Sequence, residues 1–186
     1  MTASNAKLIL VGPGGSGKDY ARKLILESFD FSPSISYTTR PIRDNEKDGV
    51  DYCFLTEDKF KEHIVEDFFY EWNFFANKWY YGTPKKSFDS HNLFIMTPSG
   101  IKELSIKDRN SSIIVYINPS ESIRYKRLSE RKDIDNVERR METDRIDFIN
   151  FGDFDVEINS SNFTLDILQD KVSAAWSSRL LLQNCK

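Results

Sequence analysis

Apolar residues cluster along this chain in short runs separated by longer mixed stretches. Lys7-Leu8-Ile9-Leu10-Val11 is such a run, as a strand buried on both faces requires. Leu93-Phe94-Ile95-Met96 and Ile113-Ile114-Val115-Tyr116-Ile117 repeat the pattern, and Phe154 to Ile158 reads as a short late strand. Between these runs the period changes. Lys18 to Phe29 sets Ala21, Leu24, Ile25 and Ser28 at helical spacing. Asn118-Pro119 ends the third run, and Pro119-Ser120-Glu121 suits a helix start. Phe163 to Leu182 predicts an amphipathic closing helix carrying Leu165, Leu168, Val172, Ala175 and Trp176. Strands alternating with helices predict an α/β fold with a parallel sheet.

Residues 34–92 break that rhythm. Short aromatic, β-prone pieces (Tyr52-Cys53-Phe54, Phe68-Phe69-Tyr70, Trp79-Tyr80-Tyr81) stand between charged turns, which predicts an inserted, partly antiparallel unit. Trp72 and Trp79 read as packing residues there. Residues 129–145 are dense in charge, with Arg131, Arg139, Arg140 and Arg145 interleaved with acids. No repeat, low-complexity tract or linker stands out.

The chain's 186 residues suit one domain with a sizeable core. With 14 Phe, 8 Tyr and only 8 Gly and 6 Pro, it is not a disordered chain. No apolar run approaches the roughly 20 residues that span a bilayer. The first residues, Met1-Thr2-Ala3-Ser4-Asn5, lack a basic then apolar leader, and Thr2 stands where myristoylation needs glycine. The expectation is a soluble, cytoplasmic protein without membrane partners. A formal net charge of −3 argues against broad nucleic-acid binding. Cys53 and Cys185 are too few for a disulfide framework or metal knuckle. The sequons at Asn110 and Asn162 read as chance matches, and His63 and His91 as surface residues.

Gly12-Pro13-Gly14-Gly15-Ser16-Gly17-Lys18 matches the first seven positions of the Walker A phosphate-binding loop. It follows a predicted strand and opens a predicted helix, the context that the motif needs. Glycines let successive N–H groups turn inward, and the helix N-terminus adds a positive dipole end. Lys18 supplies a mobile charge for the phosphoryl group. Asp19 departs from the pattern, standing where Ser or Thr would offer Mg²⁺ a hydroxyl. Direct metal binding, holding a metal-bound water, and service in the helix's first turn are all open to it.

Ser36-Tyr37-Thr38-Thr39-Arg40-Pro41-Ile42-Arg43 is followed by Glu46, by Gly49-Val50-Asp51-Tyr52-Cys53-Phe54, by Tyr70-Glu71-Trp72 and by Tyr80-Tyr81-Gly82-Thr83. Arg40 and Arg43 offer planar forks for a phosphate dianion, and the hydroxyls of Tyr52 and Tyr81 can donate to the same oxygens. In these ordered motifs the chain resembles the guanylate kinase family of nucleoside monophosphate kinases, from the phosphate loop to the late strand. The resemblance implies a P-loop NTPase three-layer fold with a central parallel sheet. It also implies an inserted mixed-β nucleoside monophosphate-binding subdomain (34–92), a short helical lid (129–145) and a core of residues 1–33, 93–128 and 146–186.

The resemblance implies transfer of the γ-phosphoryl of Mg·ATP to GMP or dGMP, by a monomer or homodimer. It makes Gly12 to Asp19 the ATP phosphate site, and Lys18, Arg131 and Arg140 the catalytic cations, with Arg139 and Arg145 as competitors. Arg40, Arg43, Tyr52 and Tyr81 would hold the acceptor phosphate. Ser36, Glu71, Thr83 and Thr97 would face the base, where Glu71 accepts from guanine's N–H donors and the hydroxyls donate to O6. Asn159 would lie near the adenine, though a plain turn role suits it equally.

The chain departs from the family at Ile95-Met96-Thr97-Pro98-Ser99-Gly100, where the family reads Asp-x-Asp-x-x-Gly. Ile95 and Thr97 thus replace two carboxylates. The Glu71–Tyr81 stretch is one residue longer than usual, and Pro41 is followed by Ile42 where the family more often has Pro directly before the second Arg. Three alternatives follow: a deoxynucleoside monophosphate kinase of broader base choice, a ribose 1,5-bisphosphate phosphokinase, and a guanylate-kinase-like binding module without catalysis.

Overall fold

The computed structural model describes residues 6–130, 136–159, 161 and 163–184. Its elements follow the chain as β1 (Lys7–Val11), α1 (Lys18–Ser28), β2 (Tyr37–Thr38), β3 (Cys53–Phe54), α2 (Glu57–Val65), β4 (Phe69–Phe75) and β5 (Trp79–Pro84). Then come α3 (Ser87–Ser90), β6 (Leu93–Ile95), α4 (Pro98–Lys102), α5 (Ile106–Asn110) and β7 (Ser112–Ile117). The last are α6 (Glu121–Ser129), α7 (Val137–Phe148), β8 (Val156–Ile158) and α8 (Leu165–Asn184).

The four apolar runs form one wholly parallel sheet in the order β6-β1-β7-β8. Side chains alternate between its faces, and both faces are covered. Leu8, Leu10, Ile113, Val115 and Ile117 meet Ala21 and Ile25 of α1 and Leu168 of α8. Ile9, Val11, Phe94, Ile114 and Tyr116 meet Met96, Ile101 and Phe88 on the other side, with Phe148 of α7 packed against them. Two buried faces are why these strands are continuous apolar runs. Two boundaries move: the late strand begins at Val156, not Phe154, and the closing helix runs from Leu165 to Asn184. The far end of α8 is tied to the base of the sheet by Arg179, which donates to the Ser112 carbonyl and pairs with Asp155. No helix among the described residues is long and apolar enough to cross a membrane.

The second sheet is mixed, in the order β3-β2-β5-β4, with β2 and β3 parallel and the other pairs antiparallel. The β4–β5 hairpin turns at Ala76 and Asn77, both in left-handed backbone with φ of 53° and 50°. Its register slips once between Phe69 and Glu71, so that Glu71 lies directly opposite Thr83.

The charged stretch before Phe68 is a helix where the sequence reading has a turn. Thr56 caps α2 by accepting from the Lys59 N–H at 3.3 Å, and Glu57 and Asp58 occupy its first turn. Phe60, fully buried, stacks on Phe69 at 4.4 Å and on Tyr80 at 5.2 Å, and so fastens α2 to the hairpin. His63 is not a plain surface residue, since its ring stacks on Phe68 at 4.5 Å. Trp79 is buried as expected, but Trp72 points outward and is 47% exposed. Cys53 is an unpaired thiol, while Cys185 lies outside the described residues.

Candidate active site

The phosphate loop turns between β1 and α1. Gly15 and Gly17 have φ of 74° and 97°, left-handed values that any Cβ would strain. Gly12 has no room for a side chain, because a Cβ there would stand 2.4 Å from the Ile117 carbonyl oxygen. Lys18 folds back over the loop. Its Nζ donates to the carbonyls of Gly12 at 2.5 Å and Pro13 at 3.1 Å, and lies 3.5 Å from Ser16 Oγ. Asp19 is exposed in the first turn of α1, whose N-cap Gly17 makes no side-chain hydrogen bond. The Asp19 carboxylate has no hydrogen bond or ion pair among the described residues.

Across the cleft, Arg40 is almost fully enclosed. Its guanidinium makes a two-pronged contact with Glu46, at 2.7 and 2.9 Å, and donates to the Pro41 carbonyl at 2.8 Å. It stands over the rings of Tyr52 and Phe54 at 5.5 and 5.6 Å. Glu46 also accepts from the Arg43 N–H at 3.0 Å and from the Arg43 guanidinium at 3.2 Å. Burial alone would raise the Glu46 carboxyl, but the Arg40 and Arg43 hydrogen bonds and charges outweigh it and hold the group below its ordinary value. Tyr52 and Tyr81 meet edge to face at 6.0 Å. Burial, then the Asp19 charge, pushes the Tyr52 phenol up, so it stays a hydrogen-bond donor.

Deeper in the same cleft, Thr83 donates to Glu71 Oε1 at 2.7 Å, and both residues are buried. Burial pushes the Glu71 carboxyl up to about 7, against the opposing effect of Thr83. Gly100 of α4 closes the pocket behind it, since a Cβ there would stand 2.8 Å from Glu71 Oε2. Thr97 lines the cleft, but its hydroxyl caps α4 by accepting from the Gly100 N–H at 3.1 Å, and it lies 2.9 Å from Ser99 Oγ. One cavity is lined by Gly12, Gly14, Lys18 and Asp19, by Arg40, Arg43, Tyr52 and Tyr81, by Ser36, Glu71 and Thr97, and by Arg140. Thr83, expected to face the base, is not among the residues lining that cavity; it lies buried behind Glu71, to which its hydroxyl donates. The loop, the paired arginines and the buried acid thus share a single space.

The profile of the guanylate kinase family, described as "Guanylate kinase", matches residues 4–175. The chain belongs to the guanylate kinase family. It is 33% identical over 182 residues to the guanylate kinase of Sulfurimonas denitrificans, covering 90% of this chain and 88% of that one. It is 32% identical over 166 residues to that of Mycoplasma genitalium, covering 83% and 69%. In fold it is similar to the crystal structure of guanylate kinase from Anaplasma phagocytophilum. That match has a TM-score of 0.66 at 20% identity, over 94% of this chain and 86% of that one.

In this guanylate kinase family member, α6 and α7 bring more cations to the loop than the motif reading finds. Arg140 lies against Gly14, where a Cβ would stand 3.2 Å from its Nε. Arg127 donates to the carbonyls of Gly15 at 3.1 Å and Ser16 at 3.2 Å. Arg124 and Asp144, neither singled out from sequence, form a buried pair at 2.5 Å, and both bond Gly14. Arg139 reaches the hairpin tip instead, donating to the Ala76 carbonyl at 2.7 Å. Arg145 is exposed and pairs with Glu121 and Glu142, which removes it as a competitor for the cleft. Arg131 lies outside the described residues. Asn159 lies apart, in an open groove with Asn118, Pro119, Glu157 and Lys171, where its carboxamide accepts from the Ser161 N–H at 2.9 Å.

Asp147 is a further missed cleft residue, half-buried on α7 with its carboxyl raised by burial and then by Asp144. The only sequence signal for Arg124, Asp144 and Asp147 is their place on helices that flank the loop. Glu46 had no assigned role in the sequence motifs, and its bridge between Arg40 and Arg43 appears only in three dimensions.

Proposed function

We propose that this chain transfers the γ-phosphoryl group of Mg·ATP to GMP or dGMP, giving ADP and GDP or dGDP. The observation that carries this reading is the single cavity in which the Lys18 loop, the Arg40–Arg43 pair and the buried Glu71 converge. The reaction needs little covalent participation from protein, so positioning and charge do most of the work.

In this reading the loop N–H groups hold the donor phosphates, and Lys18 leaves the loop carbonyls to follow the moving phosphoryl group. Arg140, beside Gly14, neutralises the same charge. Arg40 and Arg43, pre-set by Glu46, grip the acceptor phosphate with the hydroxyls of Tyr52 and Tyr81. Ionised Glu71 accepts from the guanine N1–H and N2–H₂ donors, while Ser36 donates to O6. Thr83 holds the Glu71 carboxylate in place.

Asp19 fits the magnesium that this chemistry calls for. Mg²⁺ keeps several waters and takes one or two carboxylates plus substrate phosphates, and Asp19 is an exposed carboxylate next to Lys18 at the cleft. No group of three or more His, Cys, Asp or Glu residues that could hold a metal exists among the described residues. When bound, the ion spreads the negative charge of the phosphates.

A second reading keeps the reaction and widens the base. Ile95 offers no hydrogen bond, and the Thr97 hydroxyl is engaged at the start of α4. Base choice then rests on Glu71 and the hydroxyls. ATP consumption across GMP, dGMP, AMP, dTMP, dCMP, UMP and ribose 1,5-bisphosphate tests both. Turnover confined to GMP and dGMP supports the first reading. Turnover of dTMP as well supports the second, and no turnover with any acceptor sinks both.

A further inference from the structure

Gly14 is held from both sides of its backbone by one buried ion pair. Its N–H donates to Asp144 Oδ2 at 2.9 Å, its carbonyl accepts from Arg124 Nε at 3.0 Å, and Arg124 Nη2 closes the triangle on Asp144 Oδ2 at 2.5 Å. Arg124 comes from α6 and Asp144 from α7, and they are 6% and 3% exposed. Arg127, one turn along α6 from Arg124, takes the next two carbonyls, Gly15 and Ser16.

A trans peptide points its C=O and N–H in opposite directions. Drawing the carbonyls of Gly14 and Ser16 outward onto arginines therefore turns the N–H groups of Gly15 and Gly17 toward the hollow of the loop. A buried ion pair adds little net stability, and two apolar side chains of similar size fill the same space as well or better. What apolar side chains lack is a hold on two adjoining peptide planes. The pairing also cancels a carboxylate that would otherwise repel phosphate at the loop.

We propose that Arg124 and Asp144 are positioning residues for the donor nucleotide, setting the Gly15 N–H of the phosphate loop in its anion-binding orientation by gripping the Gly14 backbone. This rests on the reading of Gly12 to Asp19 as the ATP phosphate site.

Calorimetric titration with Mg·ATP, without any acceptor, tests it together with thermal melting. The double variant Arg124→Met with Asp144→Leu should melt at or above the wild-type temperature, yet bind Mg·ATP on the order of tenfold more weakly. Arg124→Met alone should bind more weakly still, because Asp144 is left charged and unpaired beside the loop. Arg124→Lys keeps the charge but replaces a planar fork with a point donor, and should weaken Mg·ATP binding while leaving KM for GMP unchanged. Wild-type Mg·ATP affinity in the double variant overturns the proposal. If the double variant does not fold, wild-type affinity in Arg124→Lys overturns it instead. Binding without acceptor keeps the outcome separate from the phosphotransfer reading, which fails if wild type binds Mg·ATP but phosphorylates no nucleoside monophosphate.

Discussion

Thr83 donates to Glu71 across the β4–β5 hairpin at 2.7 Å, and that bond sits where burial pushes the Glu71 carboxyl up to about 7. The folded value lies above the ordinary carboxylate value of 4.5. The sign follows from linkage: the contribution to stability is full below about pH 4.5 and is lost as pH rises through about 7. Glu71→Gln carries no such charge and removes this loss. The variant should gain stability relative to wild type between these pH values, by at most about 3 kcal/mol. Melting both proteins from pH 5 to pH 8 checks this, and parallel curves would refute it.

Recognition of the base should move the opposite way with pH. In the proposed function, ionised Glu71 accepts hydrogen bonds from the base and protonated Glu71 does not do so fully. The kcat/KM for GMP should therefore rise through about pH 7. The Glu71→Gln variant should lose that inflection and raise KM for GMP, with KM for ATP little changed.

Glu46 bridges Arg40 and Arg43 with 12% of its side chain exposed. Glu46→Ala leaves the nearly enclosed Arg40 charge without its partner, at a cost of about 3 kcal/mol. KM for the acceptor should rise and KM for ATP should hold. The Glu46 carboxyl is held below 4.5, so its share of stability is present above that pH and is lost as pH falls through the folded value. Acid unfolding of the variant should accordingly begin at higher pH.

Lys18 and Gly12 separate chemistry from architecture within one loop. Lys18→Met removes the charge proposed to follow the phosphoryl group and should cut kcat by about 10²–10³-fold with the fold intact. Gly12→Ala brings a Cβ within 2.4 Å of the Ile117 carbonyl and 2.9 Å of Ser16 Oγ, and should cost about 2 kcal/mol of stability. Circular dichroism melts and single-turnover rates on both variants distinguish the two effects.

Asp19 predicts a metal dependence. Asp19→Ala should raise the Mg²⁺ concentration for half-maximal rate several-fold, while Asp19→Ser, which restores the hydroxyl of the Walker A pattern, should stay near wild type. Equal Mg²⁺ curves for all three proteins would remove Asp19 from the metal's surroundings.

The parallel core was legible in the sequence because a strand buried on both faces must be apolar at every position. Lys7–Val11, Leu93–Ile95 and Ser112–Ile117 obey that rule within a residue or two. The phosphate loop was legible for a similar reason. Its glycines answer to backbone angles and close approaches set within a few residues, as at Gly12, Gly15 and Gly17. The resemblance to the guanylate kinase family implied that Arg40, Arg43, Tyr52 and Tyr81 work together, and in the structure all four line one cleft. By contrast, α2 was hidden: a two-turn helix with one buried aromatic, Phe60, leaves too short a periodic trace among charged residues.

Tertiary structure alone decided how these groups are tuned. The bulge between Phe69 and Glu71 sets Glu71 against Thr83, and α4 brings Gly100 behind it, so burial, not sequence, raises that carboxyl. The ion pair on Gly14 joins residues from α6 and α7 that no periodicity or motif connects. Local steric and solvation rules write themselves into neighbouring residues and can be read there. An electrostatic contact between distant segments depends on how three elements pack, and it leaves each partner looking like one more charge on a helix.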